Sequence, residues 1–119
     1  MAVTRGPVQV VEDDRFLRVV GIVLDPSTPK ERVAAFADFF ANDERDFEGY
    51  CKRVRARAPA LYPAQVRLVD TAQQMRLQLP GSQALIVESL PVGRDELAIG
   101  RNLVAVQKFG SRQIGRAHV

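Results

Sequence analysis

The chain is poor in the residue types from which most enzyme sites are built. It has one cysteine, one histidine and no tryptophan in 119 residues. A single cysteine cannot close an internal disulfide, which points to a reducing cytoplasm. The lone histidine, His118, stands next to the last residue. Upstream of it there is no imidazole for general acid–base work near neutral pH. No stretch reaches the ~18 consecutive apolar residues of a membrane span. The N-terminal "MAVTRGPVQVVEDD" lacks the basic-then-apolar layout of a secretory signal. Also missing are GxSxG, CxxC, HExxH, the phosphate-binding GxxxxGK[S/T] and GxGxxG, so no catalytic, metal or dinucleotide motif can be assigned.

What is present describes a soluble globular chain. Apolar residues make up 46% and charged residues 26%, enough for an aliphatic core in one domain or part of one. The formal charge of +3 is mild and evenly spread, which argues against a nucleic-acid partner. The basic run "CKRVRARAP" has no aromatic residues interleaved for stacking on bases, and reads as a solvated helix face supported by Glu48 and Lys52 at i, i+4. Cys51 shares an apolar helical face with Phe47 and Val54, so it reads as a buried, inert thiol.

Strand and helix signals alternate along the chain. "FLRVVGIVLD", Phe16 to Asp25, is a β-branched apolar run of the kind that forms a strand covered on both faces. Thr28, Pro29 and Glu31 then form a helix-start signal with a capping box. Val33, Phe36, Ala37 and Phe40 make the apolar stripe of one helix; Phe47, Tyr50, Cys51 and Val54 make that of a second, which stops before Pro59. A strand is expected over Ala64–Asp70, and a short helix over Thr71–Leu79 with Met75 and Leu79 inward. Gln83–Ser89 reads as a third strand, "PVGRDELAIG" as a helical turn and Asn102–Gly110 as a fourth strand.

This alternation predicts an α/β fold with a flavodoxin-like parallel sheet of about four strands in the order 2-1-3-4. Ligands of such sheets gather at the carboxyl ends of the strands. Those ends are expected at Asp25-Pro26, Asp70-Thr71, Glu88-Ser89-Leu90 and Phe109-Gly110-Ser111.

Two family resemblances compete for the chain. "VQVVEDDRFLRVV", an apolar stretch ending in Glu12-Asp13-Asp14, resembles the start of a response-regulator receiver, whose clustered carboxylates hold magnesium. That family needs an aspartate at the end of the third strand, and this sequence has Glu88 in "IVESLP". The expected strand at Phe16–Asp25 also falls where a receiver has its first helix. A receiver-type signalling module is therefore the alternative.

"QALIVESLPVGRDELAIGR" followed by "LVAVQKFGSR" resembles the NAD-dependent D-isomer-specific 2-hydroxyacid dehydrogenases over roughly residues 17–112. In that family an "ALIV" strand, a polar loop and a short helix lead to a strand like "LKLVQKFG". The resemblance implies a two-domain oxidoreductase that moves a hydride between NAD or NADP and a 2-hydroxy or 2-oxo acid, acting as a homodimer. By the same resemblance, residues 16–112 are part of its substrate-binding domain, and residues 1–15 an N-terminal extension. Ser89 and Leu90 would face the substrate, and the turn at Phe109, Gly110 and Ser111 would offer backbone N–H groups to its carboxylate. The family's catalytic arginine, glutamate and histidine have no counterpart here. No residue is assigned to catalysis, cofactor or metal, and the fragment is expected to be inactive alone.

After "FGSR" the family pattern fails. Residues 113–119, "QIGRAHV", back-translate in frame onto a common sequencing-library adapter, and are expected to be an artificial tail.

Overall fold

A computed structural model describes residues 7–109. Its strands are β1 (Val8–Glu12), β2 (Gln65–Val69), β3 (Ala84–Val87) and β4 (Ala105–Lys108). All pair in parallel, in the order β2-β1-β3-β4. The helices are α1 (Arg18–Leu24), α2 (Lys30–Phe39), α3 (Phe47–Arg57), α4 (Ala72–Gln78) and α5 (Arg94–Ile99). The expected α/β class and 2-1-3-4 order are therefore both present. Among the described residues no helix is long and apolar enough to cross a membrane.

The first strand is not where the sequence placed it. Phe16–Asp25 contains α1, and the inner strand is the shorter "VQVVE" upstream. The boundary drawn after residue 15 thus separates β1 from α1, and residues 8–12 belong to the middle of the sheet rather than to an extension. Gly21, Ile22, Val23 and Leu24 of α1 are all buried. A helix whose last turn is buried on every side shows little polar face to reveal its 3.6-residue period, so its sequence resembles that of a buried strand.

β1 is held on both edges. Val8 through Glu12 pair with Gln65 through Val69, and Gln9 through Val11 pair with Ala84 through Ile86. Alternation along the strands sends Val10, Val69, Leu85 and Val87 into one core with Met75 and Leu79. A second core joins Ile22, Val23 and Leu24 of α1 to Phe36, Phe47, Cys51 and Ala64. The expected helix stripes at Phe36, Phe47, Cys51, Met75 and Leu79 are buried accordingly. Burial pushes the Cys51 thiol pKa up, in keeping with an inert side chain.

Local chemistry explains the helix ends, with two departures from the sequence reading. Asp46 accepts from Gly49 N at 3.0 Å and Thr71 from Gln74 N at 3.1 Å, so α3 and α4 have side-chain N-caps. The expected cap at Thr28 does not form. Pro29 is the N-cap of α2, and the Thr28 hydroxyl donates instead to Gly21 O at 2.8 Å, fastening the loop to α1. The basic run of α3 is also only partly a solvated face. Arg53 pairs with Glu44, but Arg55 donates to the carbonyls of Val23 and Ile22 at the end of α1 and lies over the Tyr62 ring.

Candidate site at the carboxyl ends of the strands

The carboxyl end of β1 lies between those of β2 and β3, which brings the acidic triplet Glu12-Asp13-Asp14 beside the loop after β3. Each carboxyl group there has its own protein partner. Asp13 forms an ion pair with Arg18 at 2.6 Å. Asp14 accepts from the Phe16 and Leu17 amides at 2.9 and 3.2 Å, opening the turn that leads into α1.

Glu12 makes the densest contact. Its Oε1 accepts from the backbone N–H groups of Glu88 at 2.8 Å, Ser89 at 2.8 Å and Leu90 at 3.0 Å. Its Oε2 accepts from the Ser89 hydroxyl at 2.6 Å. Three successive amides converging on one anion form a backbone nest. Partial burial works to raise the Glu12 pKa. The Ser89 hydroxyl and the amides of Leu90, Glu88 and Ser89 outweigh it and hold the carboxyl below its ordinary range. Lys108 donates to Leu90 O at 3.0 Å, tying the same loop to β4.

The site residues named from sequence are therefore only partly brought together. Ser89 and Leu90 lie at the expected strand end with converging donors, and those donors hold Glu12. Phe109 reaches the same end of the sheet, but its amide donates to Val87 O at 2.7 Å and continues the β4 ladder. Gly110 and Ser111 lie outside the described residues, as does the 113–119 segment. Sequence reasoning missed Glu12 as the partner of the nest. The available signal was its position at the end of "VQVV", which becomes legible once that stretch is read as a strand.

Beside the nest, on the α1 side, is a cleft of about 400 Å³. It is lined by Phe16, Phe36, Phe40, Tyr50 and Phe109, together with Asp14 and Glu88. Among the described residues, Glu88 Oε1 is the buried side-chain oxygen left without a hydrogen-bond partner. No group of three or more His, Cys, Asp or Glu converges to hold a metal ion among those residues. No protein-family model matches the chain, and no curated protein or solved structure gives a match.

Proposed function

We propose that this chain is part of the substrate-binding domain of an oxidoreductase that transfers a hydride between NAD or NADP and a 2-hydroxy or 2-oxo acid. The parent enzyme would work as a homodimer in a reducing cytoplasm. The observation that carries this reading is the nest at residues 88–90, where three amides and a hydroxyl already grip a carboxylate at the carboxyl end of β3. An organic acid needs the same convergent donors, and ligands of such sheets gather at these strand ends. The order of segments supports it further: "ALIV" and "AVQK" are the neighbouring strands β3 and β4, as the family resemblance implies. The chain has no G-x-G-x-x-G, so no residue of it is assigned to NAD or NADP or to the hydride step.

In this reading an incoming acid reaches the nest by exchanging with the Glu12 side chain. Glu12→Ala should then strengthen glyoxylate binding, seen as larger amide shifts at Ser89 and Leu90 in NMR titration. Equal, absent or remote shifts in both proteins would remove the substrate assignment. At gene level, the reading expects a downstream G-x-G-x-x-G and NAD-linked oxidation of a D-2-hydroxy acid by the whole product.

One observation favours the receiver-type alternative. α1 follows β1 directly, so the objection based on a strand at Phe16–Asp25 no longer holds. Against it, Glu12, Asp13 and Asp14 are each engaged by protein donors rather than turned toward a shared point. Magnesium-dependent labelling of Glu88 by acetyl phosphate would reverse the preference.

A further inference from the structure

The cleft beside the nest has a chemistry that an organic acid does not match. A buried carboxyl oxygen without a donor costs free energy that a folded chain normally avoids. Glu88 Oε1 is in that position, packed out of reach of solvent, and Glu88 itself lines a cleft whose other walls are mostly aromatic. Phe36 and Phe40 are 5.6 Å apart between ring centroids, and Phe40 and Tyr50 are 6.1 Å apart, so the rings form one continuous wall. Nearby cations do not answer the carboxyl. Lys108 donates to backbone carbonyls of Glu88 and Leu90, Arg18 is paired with Asp13, and Arg15 lies over the Phe39 ring.

Carboxyl groups set among aromatic faces are complementary to a cation with an apolar surface, which gains from the ring quadrupoles and the charge together. A hard divalent ion is a poor match, since it seeks about six or more oxygen ligands and the cleft supplies two carboxyl groups. A lone water is poorly served as well, because it needs two to four polar partners. The volume of about 400 Å³ lies in the range of small-ligand sites.

We propose that the cleft formed by Phe16, Phe36, Phe40, Tyr50 and Phe109 with Glu88 and Asp14 binds an organic ammonium ion, with the Glu88 carboxylate as its counter-charge. The cleft is built from side chains, whereas the oxidoreductase reading rests on loop amides, so either can fail without the other.

The test uses choline and its uncharged isostere 3,3-dimethylbutan-1-ol as probes, followed by calorimetry and by NMR shifts of the cleft rings. Choline should bind at least about tenfold more tightly than the alcohol, as expected for a desolvated cation–π site with a counter-ion. Glu88→Gln should weaken choline about tenfold and leave the alcohol unchanged, in line with the loss of one charged partner. Should Glu88→Gln fail to fold, Tyr50→Leu keeps the cleft apolar while removing one ring face, and should selectively weaken choline. Equal binding of the two probes would overturn the proposal and leave only an apolar cleft. So would the absence of choline shifts at Phe36, Tyr50 and Phe109.

Discussion

Strands β1 and β4 have related sequences, VQVVE and AVQK, in opposite surroundings. Val10 and Val11 of β1 are fully buried. Ala105, Val106 and Gln107 of β4 are exposed, and Val104 just before them is 84% exposed. The difference comes from neighbours rather than from the strands themselves. β1 has a strand on each edge, α1 above one face and the Met75–Leu79 core below the other. Among the described residues β4 is paired on one edge only, by β3. On the α1 side of the sheet, an apolar groove of about 580 Å³ runs over β3 and β4, bordered by Val20, Val23 and Val54. An apolar residue here stabilises the fold only as far as surrounding elements remove it from water.

The sharpest way to test that contrast is to shorten one side chain in the core that Val10 of β1 shares and one beside β4. Leu85→Ala, in the middle of β3 and fully buried, should cost about 2–5 kcal/mol in urea unfolding, the usual range for a large-to-small core change. A cost below about 1 kcal/mol would mean that the lower core is looser than described.

A smaller effect is expected at the clasp between β1 and the loop after β3. Glu12→Ala leaves three amides, one exposed and two only partly buried, without their carboxylate, so the loss should be about 1 kcal/mol. The same contact gives a pH dependence. The folded-state pKa of Glu12 is depressed, so its contribution is present above the unfolded carboxylate range and is lost as pH falls through the folded value. Glu96 behaves likewise, held low by the Gly93 amide and by Arg76. Stability should therefore decline on acidification below about pH 4–5, and the Glu12→Ala variant should show a shallower decline. Parallel slopes for the two proteins would assign the acid sensitivity elsewhere.

The smallest change in folding is expected at the bare end of the comparison. Val104→Ala should alter stability by no more than about 0.5 kcal/mol, because the side chain is already in water. Association is the more sensitive readout there. The edge of β4 away from β3, unpaired among the described residues, and the groove beside it should make the chain self-associate with rising concentration, and Val104→Lys should reduce this in sedimentation velocity. A native chain that stays monomeric throughout would show that the edge is protected.

The sequence was informative where a residue's environment leaves a periodic trace. α2 and α3 were legible because their apolar residues recur on one face while the other meets water. β2, β3 and β4 were legible because short β-branched runs sit between turn signals. α1 was not, since the burial of Gly21 through Leu24 removes most of the polar half of the pattern, and the five-residue β1 was overshadowed by the longer run beside it. The sheet order could still be inferred, because it depends on alternation of strand and helix more than on the exact first strand. At the site, the importance of residues 88–90 was visible from their place at a strand end. Their engagement with Glu12 was not, because that contact joins residues 76 to 78 positions apart.

The placement of β1 has a consequence for how the chain is made. "VQVV" leaves the ribosome well before its hydrogen-bonding neighbours, which begin at Gln65 and Ala84. During synthesis at about 5–20 residues per second, this apolar stretch waits several seconds with neither edge satisfied. Nascent chains arrested before Val69 should thus be good clients for a holdase chaperone, and those arrested beyond Val87 much poorer ones.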